Sequence, residues 1–111
     1  MMKFVIVFFA MSIYMYAISL GQTLFEGNCV TCHQIDTEKS APTIQKVVQV
    51  YKMRFSKKED FVKNMAIWLI KPDTLTTLMP KKIQKYRLMP ELGYDKDTLQ
   101  IIAEYLYETY I

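Results

Sequence analysis

The apolar positions of the chain fall into two kinds of block. The first is a nearly unbroken run from Phe4 to Ala10, extended through Met11, Ile13, Tyr14 and Met15 toward Ile18. Beyond it, apolar residues recur three or four apart, and no stretch keeps the period of two that a half-buried strand needs. Leu24 and Phe25 give an apolar side to a first element between Leu20 and Cys32. Ile44, Val47, Val48 and Tyr51 mark a second over Ala41 to Arg54, with Pro42 as its starter, although the valines would also suit a strand. Phe61, Met65, Trp68 and Leu69 form the stripe of a third helix. Ser56-Lys57-Lys58-Glu59 before it has the form of a capping box, and Pro72 ends it by lacking an N–H. Asp73 to Met79 reads as a turn or short helix, and Pro80 opens a further short helix to about Arg87. The last helix starts near Asp95 or Asp97, whose carboxylates suit a helix N-terminus, and its apolar face carries Leu99, Ile102 and Leu106 with Tyr105 on a neighbouring edge. The expected fold class is all-α.

The leading run changes the domain reading. Lys3 precedes it, and the small residues Ala17 and Ser19 follow at the spacing of a signal-peptidase site. Residues 1–19 therefore read as a signal peptide cut after Ser19, and 20–111 as one domain. The competing reading is a retained anchor, since the run sits at the lower end of the roughly 17–25 residues of a spanning helix. The net charge is +3, or +2 once Lys3 goes with the leader. That excess is small and shows no arginine-rich stripe, so nucleic acid is not an expected partner. A domain this short buries only about 60–65% of the surface its unfolded chain exposes, so its own core is marginal. A large apolar cofactor held covalently would add the missing core volume.

Cys29-Val30-Thr31-Cys32-His33 supplies the chemistry for one. Two thiols three residues apart on one helical turn can each form a thioether to a single porphyrin, and the histidine that follows can ligate the iron. Three other readings use the same residues. Structural zinc needs about four Cys/His ligands, and the chain has only these three. A thioredoxin-like pair needs a βαβ setting that the pattern lacks. A plain disulfide suits an exported protein but leaves His33 without a purpose. One covalent haem c accounts for all three side chains. His33 is the single histidine, so a second histidine ligand from this chain is excluded. Met53 and Met65 lie within helical stretches and read as gap-filling core. Met79 and Met89 each precede a proline, which takes them out of regular helix, and either can offer a thioether from a stiff turn.

With these features in order, the chain resembles the class I cytochromes c over residues 20–111. Gly21 and Phe25, the motif Cys29–His33, Ala41-Pro42-Thr43-Ile44, a central helix, Met89-Pro90 and a terminal helix with Tyr105 carry the resemblance. The resemblance implies several short helices wrapped around the haem, with the N- and C-terminal helices crossing where Gly21 and Phe25 meet Ile102, Tyr105 and Leu106. It implies Met89, rather than Met79, as the iron's second axial ligand beside His33, and a Pro42 carbonyl that accepts the proton on the far nitrogen of His33. Trp68 and Arg54 become candidates to hydrogen-bond a haem propionate, with packing as the other reading of Trp68. Gln34 and Ala41 stand where glycine is frequent in the family.

A His/Met pair leaves no open position on the iron, so the expected role is a periplasmic one-electron carrier and not an enzyme. Lys81, Lys82, Lys85 and Arg87 precede Met89, and they would steer an acidic redox partner or form an ordinary solvated face. The expected protein is a monomer that meets a membrane only if the N-terminal segment is kept. Two alternatives stay open. One is a haem subunit fixed to a periplasmic oxidoreductase or terminal oxidase. The other is an open-site gas-binding or peroxidase-type protein, although open-site haem bundles place the motif near the C-terminus and here it stands early.

Overall fold

The structure is a computed structural model that describes residues 20–110. The expected leader, residues 1–19, lies outside the described residues. Five helices make up the fold, with no strand among the described residues: α1 (20–28 as far as described), α2 (Ile44–Arg54), α3 (Lys58–Ile70), α4 (Pro80–Tyr86) and α5 (Lys96–Thr109). None of them is long and apolar enough to cross a membrane.

Each helix end has a local cause. Thr43 caps α2, its hydroxyl accepting from the Lys46 N–H at 3.3 Å, so Pro42 lies one residue before the cap and outside the helix it was expected to start. Lys52 and Arg54 complement the negative end of α2, and its valines are helical. The expected capping box at Ser56 does not form. Lys57 is the N-cap of α3 and makes no side-chain cap bond. That places Glu59 one position too early to reach back, and the Ser56 carbonyl instead accepts from the Tyr107 hydroxyl at 3.0 Å. Glu59 and Asp60 still favour the positive end of α3 from its first turn. Pro80 begins α4 at a position where a missing N–H costs nothing. Arg87 ends it in the left-handed region at φ 73°, a conformation that costs a non-glycine residue about 1 kcal/mol or more. Asp95 caps α5, accepting from the Thr98 N–H at 2.8 Å.

The core gathers the stripes read from the sequence. Phe25, Val48, Phe61, Met65, Ile102 and Leu106 are buried together, and α3 packs chiefly against α5. Phe61 meets the ring of Tyr107 edge-on at 5.1 Å and that of Tyr51 at 5.9 Å. Full burial of such side chains stabilises the fold by roughly 1.5–3 kcal/mol each. Met53 departs from its expected core role and is 81% exposed.

α1 crosses α5 at Gly21. A Cβ there would stand 2.8 Å from the Tyr105 Cβ and 3.2 Å from the Ile101 carbonyl oxygen, so only glycine admits this approach. One turn on, Phe25 is fully buried and lies 5.8 Å from the Tyr105 ring. The C-terminal end of α5 is tied back to α2, with the Lys52 ammonium donating to the carbonyls of Tyr107 and Tyr110 at 2.8 and 2.7 Å.

Candidate haem site

α1 delivers the cysteines to the site. Its hydrogen-bond pattern continues past its end, from the Cys29 N–H to the Phe25 carbonyl and from the His33 N–H to the Cys29 carbonyl, both 2.8 Å. Cys29 and His33 are therefore one helical turn apart on the same side. Both cysteines are free thiols, Cys29 half-buried and Cys32 exposed. Burial pushes the Cys29 thiol up, with Cys32 adding to the effect.

The loop from Gln34 to Thr43 folds back over His33. It is closed by the Ile44 N–H donating to the Gln34 carbonyl at 2.9 Å. His33 Nδ1 lies 2.8 Å from the Pro42 carbonyl. A carbonyl can only accept, so Nδ1 carries the proton and Nε2 keeps a lone pair for a metal. Burial lowers the His33 pKa, partly offset by the Pro42 bond, which keeps the ring in the neutral form that ligates. The loop closes in this way even with Gln34 and Ala41 in place of glycines.

These residues line one open, mainly apolar cleft. Cys29, Cys32, His33 and Pro42 contribute from the motif and its loop. Phe25, Ile44, Met65, Ile102 and Leu106 contribute buried apolar side chains. Met79 and Met89 both reach it, as do Leu78, Ile83 and Leu88. Trp68 lines it too, but its indole N–H donates to the Asp73 carbonyl at 3.2 Å, so the donor expected to meet a propionate is already engaged. Arg54 is not brought to the cleft; its exposed guanidinium lies 5.3 Å from the Phe55 ring centre. Arg54 is the last residue of α2 and lies past the end of its buried stripe of Ile44, Val48 and Tyr51.

Two contributors were not read from the sequence as site residues. Tyr51 was read as core and lines the cleft, its phenol pushed up to about 12 by burial; its place on the stripe with Ile44 was the available signal. Glu38 had no signal. Its carboxylate accepts from Lys82 Nζ at 2.5 Å, Tyr86 Oη at 2.6 Å and Lys85 Nζ at 3.1 Å. Two of the four cations expected to face a partner are thus paired within the chain.

The donor set decides among the readings of the motif. Among the described residues no three His, Cys, Asp or Glu side chains are grouped to hold a metal ion, which leaves zinc without ligands. Two free thiols, a histidine with an open Nε2 and an apolar cleft fit a covalently held porphyrin. The cytochrome c family model matches residues 18–109. The chain belongs to the cytochrome c family. Membership implies one covalent haem c, with Cys29 and Cys32 at the spacing of the family's attachment motif. In broad terms membership points to a haem c electron carrier, from a family that typically works in electron transfer. No curated protein and no solved structure matches the chain.

Proposed function

We propose that this cytochrome is a periplasmic one-electron carrier whose haem c is joined to Cys29 and Cys32 and whose iron is ligated by His33 and Met89. The observation that carries the reading is the bond from His33 to the Pro42 carbonyl, which leaves Nε2 as a ligand in the cleft that Met89 also lines. Bound haem c supplies a reversible ferric/ferrous couple. The protein's part is to exclude water and to set the ligands. Buried Phe25, Ile102 and Leu106 give the cleft an apolar lining, and the proton held on Nδ1 fixes the ring and makes Nε2 a better donor. A methionine thioether is soft and neutral, so it favours the ferrous state and raises the potential. Electron exchange takes place at the cleft rim, where Cys32, Arg87 and Leu88 are exposed.

Residues 1–19 act as the export signal in this reading, and 20–111 as the working domain. Docking to an acidic redox partner draws on Lys81 and Arg87, because Lys82 and Lys85 are paired with Glu38. Met89→Ala should abolish the weak far-red sulfur-to-iron band of the oxidised protein and let carbon monoxide bind the reduced form, while Met79→Ala should do neither. The opposite pattern would transfer the ligand role to Met79. Rapid carbon monoxide binding by the wild type would sink the closed site. A pyridine haemochrome spectrum of the purified protein checks the cofactor itself.

A further inference from the structure

The cleft joins two stretches of chain that are far apart in sequence. The loop after His33 provides Ser40, Ala41 and Pro42, and the stretch around α4 provides Met79, Lys82, Tyr86 and Met89. The first positions the histidine and the second carries both methionines. α4 has no buried residue, so its own packing holds it weakly against the rest of the fold.

Glu38 spans these stretches. It lies four residues before Pro42, and its partners follow Met79 by three residues (Lys82) and precede Met89 by three (Tyr86). One carboxylate takes three bonds from α4, two of them from ammonium groups and one from a phenol. Such charge-assisted bonds are the short and strong ones, and Lys82 and Tyr86 are half-buried residues of the cleft wall itself.

We propose that Glu38 is a positioning residue that latches α4 to the loop holding His33 and thereby keeps the sixth-ligand position shut. The latch rests on the reading of Met89 as that ligand in its effect, though not in its existence. With Glu38 in place, the segment from α4 to Met89 is anchored within three residues of the thioether. Without it, α4 keeps only its own short ladder, and Met89 leaves the iron more often.

The test uses the haem-loaded protein with two readouts: amide hydrogen exchange at Ile83 and Arg87, and carbon monoxide association with the reduced form. Glu38→Ala should raise α4 exchange about tenfold or more and speed carbon monoxide uptake by a similar factor. Glu38→Gln, which keeps an acceptor oxygen for Tyr86, should fall between. Glu108→Ala breaks an ion pair with Lys58 that joins α3 to α5 away from the cleft; it should lower the thermal midpoint and change neither readout. If Glu38→Ala fails to load haem, Glu38→Gln and Tyr86→Phe carry the test. Unchanged α4 exchange in these variants overturns the latch. Faster exchange with unchanged carbon monoxide uptake overturns its control of the sixth position. A wild type that takes up carbon monoxide freely refutes the Met89 reading instead, and the exchange result alone then decides the latch.

Discussion

Two sides of this small domain are held together by different forces. Where α3, α5 and α1 meet, rings and branched side chains are packed with almost no exposure: Phe25, Phe61 and Ile102 at the centre, Tyr105 and Tyr107 around them. On the cleft side, α4 has no fully buried residue, and the loops are fixed by individual polar bonds: His33 to Pro42, Trp68 to Asp73, Glu38 to α4, and the Tyr94 hydroxyl to Asn28. The first side is a core in its own right. The second is a frame whose apolar contents are the cofactor. Such a frame is specified by geometry and not by buried area, because a few directional bonds can hold loops that have little to pack against.

The largest effect should come from removing the cofactor. In a Cys29→Ala/Cys32→Ala variant the haem is not attached, and the cleft that Phe25, Ile102 and Leu106 help to line loses its contents. Because these residues also belong to the core, both sides should weaken. The chain should lose its cooperative thermal transition, with amide protection vanishing first in α4 and last in α5. A variant that unfolds as sharply as the wild type would show that the frame stands without its contents.

The next effect separates the two sides. Phe61 is fully buried but does not line the cleft. Phe61→Ala should destabilise the protein by about 3–5 kcal/mol, read from denaturant midpoints, while leaving the far-red band in place. Loss of that band would mean that core and iron site are coupled more tightly than the contrast allows.

How much of each side could be read from the sequence follows from the same difference. The helices of the core were legible, because burial of a stripe leaves a period in the residues: Ile44, Val48 and Tyr51, or Leu99, Ile102 and Leu106. The haem motif was legible because its ligands are adjacent in the chain. The capping box at Ser56 was misleading. Four residues suited to the box were present, but tertiary contacts gave the cap position to Lys57 and the Ser56 carbonyl to Tyr107. Met53 was misplaced for a related reason, since α2 turns it toward solvent once Val48 and Tyr51 are buried, and Arg54 stands at the exposed end of the same helix. Pro42 was legible only through resemblance. Glu38 was not legible at all: its partners lie 44 to 48 residues away, and no local pattern announces a bond across that distance.

A paired change on α1 tests how tightly the core side is closed. Gly21 touches Tyr105 and the Ile101 carbonyl, whereas a Cβ on Gly27 would meet nothing within 4 Å. Gly21→Ala should destabilise by about 1–3 kcal/mol through overpacking, less the gain of up to about 1 kcal/mol in helix propensity. Gly27→Ala has only the gain and should stabilise by up to about 1 kcal/mol. Equal effects at both positions would mean that α1 does not rest against α5 as closely as the structure has it.

The smallest effect belongs to the frame and depends on pH. Lys82, then Tyr86 and Lys85, hold the Glu38 carboxyl down to about 2, against 4.5 when unperturbed. A carboxylate lowered by folding stabilises fully above its unfolded value and loses that contribution as pH falls through the folded one. The latch should therefore be intact at neutral pH and weaken between about 4.5 and about 2. At the other end, Tyr86 and Glu38 raise the Lys85 pKa above its ordinary 10.5, so that limb is complete below 10.5 and fades as pH rises through the raised value. Denaturant midpoints measured across the acid window should fall less steeply in Glu38→Gln than in the wild type. Asp95, lowered by its bonds to Thr98, adds an acid loss that both proteins share and that cancels in the comparison. The difference should be small and should shrink with added salt, because Lys85 and Glu38 are in contact with water and exposed pairs contribute little. Identical acid limbs would mean that Glu38 is not ionised against α4, and the frame would then rest on its other polar bonds, from His33, Trp68 and Tyr94, and on the haem.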